Sequence, residues 1–253
     1  MLNPSIDFPS PSRQRGASLI ELMVGMVVGL LIIIAAAATY LTTSLRVRDT
    51  LNAAKLNMTL RTTMDVVVDE IRRAGYSASG GVNNPFTNRN PGSFSDLIVT
   101  NNGSCIEFSY DMNADGLLAN SSPFEYSGFR VQNGILSMRN GGPGIVNNCT
   151  NGSWEALTDA NQIIIIPHSS GNPYFTVTYQ CMNTQTSESD NEACTGGGTV
   201  FDQAAAGKPV DLLETRTVSV NLGARLASDN SMRMDLSQQV LVRNHRVVVA
   251  GTP

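Results

Sequence analysis

The sequence predicts an α+β protein, one long N-terminal helix packed on a mainly antiparallel β-sheet head. Three observations predict it. Residues 17–41 are 25 residues with a single charge, Glu21, long enough to span a bilayer core of roughly 30 Å. Residues 42–75 continue without proline and carry apolar residues at broadly helical spacing. From residue 76 the pattern changes to turn-rich segments that separate short β-prone runs.

The helix is preceded by a basic leader, residues 1–16, ending in "RQRG". A secretory signal peptide would place its cleavage site after the apolar run. Here Arg13, Arg15 and Gly16 come first, so a cut at Gly16 leaves the run on the mature chain. The arginines in front, with no basic residue again until Arg46, place the N-terminus in the cytoplasm and the rest outside. Glu21 is the anomaly, because an acid at the centre of a membrane helix costs on the order of 3 kcal/mol. One reading is an interfacial acid about one turn from Ala17. The other is an acid that needs a cation, which the α-amino group of Ala17 on a neighbouring subunit would supply after cleavage.

In residues 42–75, Leu45, Leu51, Met58, Met64, Val67, Val68 and Ile71 form the expected amphipathic face. Arg72 and Arg73 suit a helix C-terminus and Gly75 a stop. A helix from about Ala17 to Ala74 would be roughly 85 Å long. Gly25 and Gly29 weaken its membrane half and set a small-xxx-small spacing.

The head, residues 76–253, opens on a loop over 76–94. Strands are expected at "DLIVT", "CIEFSY", "FEYSGFRV", "ILSMR", "QIIIIP", "PYFTVTYQC" and "RTVSVNLGARL". "QQVLVRNHRVVV" supplies a last strand or pair. Asn133-Gly134 marks a hairpin. Phe175, Val177, Tyr179 and Cys181 share one face of their strand, and Val218, Val220 and Leu222 alternate in theirs.

Composition is globular, 42% hydrophobic and 15% charged, and the net charge of −4 gives no support for nucleic-acid binding. Four cysteines, Cys105, Cys149, Cys181 and Cys194, include no C-x-x-C pair. In an exported chain an even count favours disulfides, with three connectivities open. Sequential pairing, Cys105 with Cys149 and Cys181 with Cys194, is the one favoured here.

Asp111, Asn113, Asp115 and Gly116 match the start of a calcium loop. Position 12 is Ser122 instead of a bidentate Glu, and Glu125 would substitute only with different geometry. The same residues suit a turn in which Asp and Asn cap their own backbone. No cofactor is required by the sequence, and calcium, if it binds here, has a structural role. No G-x-S-x-G, H-E-x-x-H or P-loop occurs, His168 and His245 have no ligand neighbour at i±4, and Trp154 reads as a core or edge aromatic. No enzyme is expected.

"RGASLIELMVGMVVGLLI" resembles the class III leader of type IV prepilins and pseudopilins. The resemblance implies that Gly16 precedes the cut, Ala17 (where the family usually has Phe) is the mature N-terminus, and Glu21 is the assembly acid. "CIEFSYDMNADG", "FEYSGFRVQNGILSMR", "WEALTD" and the tail "VSVNLGARLASDNSMRMDLSQQVLVRNHR" look like the PilW-type minor pilins. The family implies the type IV pilin fold, with processing by a membrane prepilin peptidase and residence in the inner membrane. It then implies incorporation with other minor pilins and the major pilin, at or near the fibre tip. The head would be periplasmic and then extracellular, supporting adhesion, twitching or DNA uptake. Rival readings are a minor pseudopilin of type II secretion, a calcium-dependent tip adhesin, and a membrane-anchored periplasmic enzyme.

Overall fold

The computed structural model describes residues 16, 18–81, 83–89, 94–119, 123–142, 144–145, 149–184 and 212–248. Helix α1 runs Leu19–Arg73. Its first turn carries Glu21 and its last turn Arg72 and Arg73, each charge on the favourable side of the helix dipole. It stops where Gly75 turns to φ 72°, and the Gly75 amide donates to the Ser109 carbonyl at 2.8 Å. The chain divides into two compact units, residues 1–51 and 52–253.

In the first unit α1 is long and apolar enough to cross a membrane, and none of its most apolar stretch is buried. Leu19, Ile20, Met26 and Ile33 are all at least two-thirds exposed.

In the second unit α1 buries a stripe of Leu56, Leu60, Thr63, Met64, Val67, Val68 and Ile71. The intervals of three and four residues keep these on one side of a helix with 3.6 residues per turn. This corrects the expected face. Leu45, Leu51 and Met58 are 60%, 64% and 74% exposed. Met58 lies roughly 200° round the helix from Leu56, so it points away from the core.

Five strands form the first sheet, all antiparallel and in sequence order: β1 (Ile98–Thr100), β2 (Cys105–Ser109), β3 (Tyr126–Gln132), β4 (Ile135–Arg139) and β5 (Trp154–Ala156). The second sheet is built round β8 (Leu212–Leu226). One edge of β8 pairs with β7 (Phe175–Asn183) and then β6 (Ile163–Ile166). The other pairs with β9 (Arg233–Leu241) and β10 (Arg246–Val248). The expected single sheet is therefore two. The three-residue β5 was not foreseen, and β9 begins five residues earlier than its apolar run suggests. The helix stripe, Phe108 and Phe129 of the first sheet, and Val218, Val220 and Leu222 of the second form one apolar core.

The two sheets are joined at the β3–β4 turn. Asn133 (φ 54°) and Gly134 (φ 76°) both adopt the left-handed conformation that a two-residue hairpin of this type requires. The Gly134 carbonyl accepts from the Ile165 amide at 2.8 Å. A Cβ on Gly134 would lie 2.7 Å from Ile164 Cγ2, so the docking needs glycine twice over.

A disulfide links Cys105 on β2 to Cys149, with Cα atoms 6.5 Å apart. Cys181 is also disulfide-bonded. Cys194 lies outside the described residues.

Candidate functional site

Of the processing and assembly residues, Gly16 and Glu21 are exposed, and Ala17 lies outside the described residues. Helical hydrogen bonding starts with the Leu22 amide donating to the Ser18 carbonyl at 3.1 Å. Glu21 thus sits among the unpaired N–H groups of the first turn, where a negative charge is stabilised. The whole apolar stretch around it is uncovered within one chain.

The loop after β2 brings Asp111, Asp115 and Glu125 together, with carboxylate oxygens within 4.8 Å of one another. Asp111 and Glu125 are buried and Asp115 is exposed. Every one of these carboxylates already accepts N–H groups. Asp111 Oδ2 accepts from Ala78 and Gly116, both at 2.9 Å, and Oδ1 from Asp115 at 3.1 Å. Glu125 accepts from Met112 at 3.2 Å and Ala119 at 2.7 Å. Asn113 turns to Asp115, giving its Nδ2 to Asp115 Oδ2 at 2.8 Å while its Oδ1 accepts from the Asp115 amide at 3.2 Å. The third carboxylate of the cluster is thus Glu125, and Asn113 braces the turn. Burial pushes the Glu125 carboxyl up, and repulsion from Asp111 and Asp115 adds to this against the Ala119 and Met112 amides. Gly116 suits this turn, because its φ is 76° and a Cβ would fall 1.7 Å from Ser79 Oγ, which would have to turn away.

A second cluster was not anticipated. Arg89 contacts Asp96 at 2.5 Å and Glu214 at 2.8 Å, and Arg216 also pairs with Asp96. Arg246 of β10 reaches Glu214 at 3.8 Å. Asp96, Glu214 and Arg216 are completely buried. Burial opposes the charge on Asp96, but Arg216, Arg89 and Arg246 outweigh it and hold its carboxyl below the ordinary range. Burial likewise opposes the charge on Arg89, and Asp96 and Glu214 outweigh it and raise the guanidinium pKa. Arg216 Nη2 also donates to the Asn244 carbonyl at 2.6 Å, and Asn244 Nδ2 donates to the Arg73 and Ala74 carbonyls, each at 3.2 Å. The cluster therefore fastens the loop after α1, strand β8 and the β9–β10 turn to the end of the helix. A sequence signal existed: Glu214 and Arg216 are in phase with Val218, Val220 and Leu222 on β8.

One histidine lies near a serine. The Ser170 amide donates to His168 Nδ1 at 3.1 Å, so in the neutral ring Nε2 carries the proton. Nε2 then donates to Ser237 Oγ at 3.1 Å, and Ser237 donates to Asn221 Oδ1 at 2.8 Å. This polarity is the reverse of what a nucleophilic serine needs, since a general base must present a lone pair. His245 is exposed in the β9–β10 turn. Trp154 is half-buried, with the Arg130 guanidinium 4.4 Å from its ring centre and its Nε1 donating to the Asn151 carbonyl.

Residues 49–242 match the family of prepilin peptidase-dependent protein B. The chain belongs to that family. Residues 11–37 match the prokaryotic N-terminal methylation motif, which covers Gly16, Ala17 and Glu21. Comparison with curated proteins and with solved structures finds no match. The chain is therefore a pilin-like protein dependent on prepilin peptidase, with an N-methylation motif, a long apolar N-terminal helix and a disulfide-bonded β head.

Proposed function

We propose that this protein is a minor pilin of a type IV pilus, PilW-like, cut after Gly16 and built into the fibre at or near its tip with other minor pilins. The observation that carries this reading is the uncovered apolar surface of α1, with Glu21 in its first turn. Before assembly the bilayer covers such a surface, and in a fibre the helices of other subunits do. Glu21 then pairs with the α-amino group of Ala17 on a neighbour, and low dielectric strengthens the pair. Its role is structural, in priming or capping the fibre. Glu21→Ala is expected to leave cleavage and membrane insertion intact and to lower the amount in sheared pili, with Glu21→Asp intermediate. Normal incorporation of processed Glu21→Ala removes the intersubunit pairing. Recovery of the wild-type protein only with secretion machinery, and never in pili, favours a type II pseudopilin instead.

A calcium ion at Asp111, Asp115 and Glu125 is a second element of the proposal, favoured by the convergence of three carboxylates. The N–H donors that already satisfy each carboxylate support the plain turn. Calcium titration of the full chain in detergent separates the two. A rise in melting temperature, lost in Asp115→Asn, supports the ion, and no shift at millimolar calcium leaves the turn.

A further inference from the structure

The Cys105–Cys149 disulfide is built beside a buried acid. Cys105 and Glu107 are i and i+2 on β2, so their side chains share one face. Cys149 comes from the segment after β4, and Arg130 Nη1 donates to its carbonyl at 3.1 Å. A carboxylate oxygen of Glu107 and both sulfur atoms lie within 4.8 Å of one another. Glu107 is completely buried, and Cys149 is 3% exposed. Glu107 Oε1 accepts from Arg139 Nη1 at 2.8 Å, whereas Oε2 makes no hydrogen bond. Arg139 also donates to loop carbonyls, from Nε to Gly141 at 3.3 Å and from Nη2 to Gly144 at 3.0 Å. Arginine–carboxylate pairs are frequently bidentate, and this one is not. Besides Arg139 the carboxylate meets the Cys149 amide, and it lies within 4.8 Å of both sulfurs.

We propose that Glu107 is the general base that closes the Cys105–Cys149 bond, taking the proton of the Cys105 thiol as its sulfur attacks. In the first step a disulfide-bearing oxidant exchanges with the Cys149 thiol and leaves a mixed disulfide on it. The Cys105 thiol then gives its proton to the Glu107 carboxylate. Its sulfur bonds to the Cys149 sulfur, and the bond between Cys149 and the oxidant breaks with the electron pair on the oxidant's thiolate, which takes a proton from water. Two protein thiols are oxidised to one disulfide, and one oxidant disulfide is reduced to thiols. Without a base, Cys105 would have to ionise unaided from a buried site, which disfavours the thiolate.

The acid is tuned for the task. Burial is the main cause that raises Glu107 to about 7, against Arg139, the Cys149 amide and Arg130. A base with a pKa near the working pH is the most effective one. The charged and titratable groups around it are Arg139 from β4, Arg130 and Tyr126 from β3, and the two cysteines; the Arg139 guanidinium lies 5.4 Å from the Tyr126 ring centre.

The test uses the full chain in detergent, reduced with dithiothreitol, desalted and given oxidised glutathione. Timed samples are acid-quenched, alkylated and mapped by mass spectrometry, with oxidation of Cys181 in the same molecule as the reference. In wild type, conversion of glutathione-bearing Cys149 to the Cys105–Cys149 bond should rise with pH and level off near pH 7, whereas oxidation of Cys181 keeps rising towards the ordinary thiol pKa of roughly 8.5. Glu107→Gln should slow closure at least tenfold, accumulate glutathione on Cys149, remove that inflection and leave Cys181 unchanged. An unchanged ratio in Glu107→Gln overturns the proposal. If the variant slows both sites together through misfolding, the wild-type profile decides. An inflection near 7 confined to Cys105–Cys149 supports the base, and its absence overturns it.

Discussion

Leu60 and Met58 are two residues apart on α1 and have opposite environments. Leu60 is inaccessible to solvent and Met58 is 74% exposed. Both are apolar, so hydrophobicity alone does not separate them; their angular positions on the helix do. Leu60→Ala should cost about 2–5 kcal/mol, the lost transfer energy plus the cavity left behind. Met58→Ala should change stability by less than about 0.5 kcal/mol. Urea unfolding of the two variants checks this, and equal effects would mean that the helix is rotated from the orientation described. The same scale explains why the acid in the apolar segment was visible at once. Glu21 is one charge among 25 residues, whereas Glu107 is one acid in an ordinary-looking strand and is exceptional only for the groups that face it.

Strand β8 shows what alternation can and cannot reveal. Its inward positions read Glu214, Arg216, Val218, Val220, Leu222, Ala224 and Leu226, all buried. The apolar half of that series was legible in the sequence, together with the hairpin at Asn133-Gly134, most strands and the length of α1. The charged half was not, because its partners Arg89 and Asp96 come from far earlier in the chain, one in the expected loop and the other at the start of the expected strand "DLIVT". Partner choice among strands is equally non-local, which is why two sheets looked like one. β5 has three residues and one half-buried side chain, too little for a periodic signal. In the acidic loop Asp111 and Asp115 were legible from motif spacing, while Glu125 joins them only through the return of β3. The ionic cluster makes a prediction at this scale. Asp96→Asn leaves Arg216 and Arg89 buried with one counter-charge fewer and should cost about 3–5 kcal/mol. Asp69→Asn removes the exposed Arg72 partner at 2.8 Å and should cost less than about 0.5 kcal/mol. Denaturation midpoints of the two variants give the comparison, and a neutral Asp96→Asn would show that the cluster is not what fastens β8 to the helix end.

For the molecule as a whole, buried acids make stability depend on pH in two opposing ways. Glu107 is raised by burial from 4.5 to about 7. Between those values the folded chain keeps a proton that the unfolded chain has released, so folding is favoured less as pH rises. A shift of this size is on the order of 3 kcal/mol. The loss begins above the unfolded value and is complete once pH passes about 7. Glu214 is also raised, by burial and by Asp96 against its arginines, and acts in the same direction. Asp96 is held below its ordinary 3.8 and acts oppositely, its contribution vanishing as pH falls through that range. Stability should therefore peak near pH 5, fall towards pH 7 and fall again in stronger acid. Glu107→Gln mimics the protonated side chain and keeps an oxygen for Arg139, whose guanidinium retains the loop carbonyls. It should flatten the decline between pH 5 and 7 and leave the acid limb in place. Urea unfolding of wild type and Glu107→Gln at pH 4, 5, 6, 7 and 8 measures both limbs. A wild-type curve that is level or rising from pH 5 to 7 would show that Arg139 outweighs the burial of Glu107, and the assignment of a proton to that acid near neutrality would fail with it.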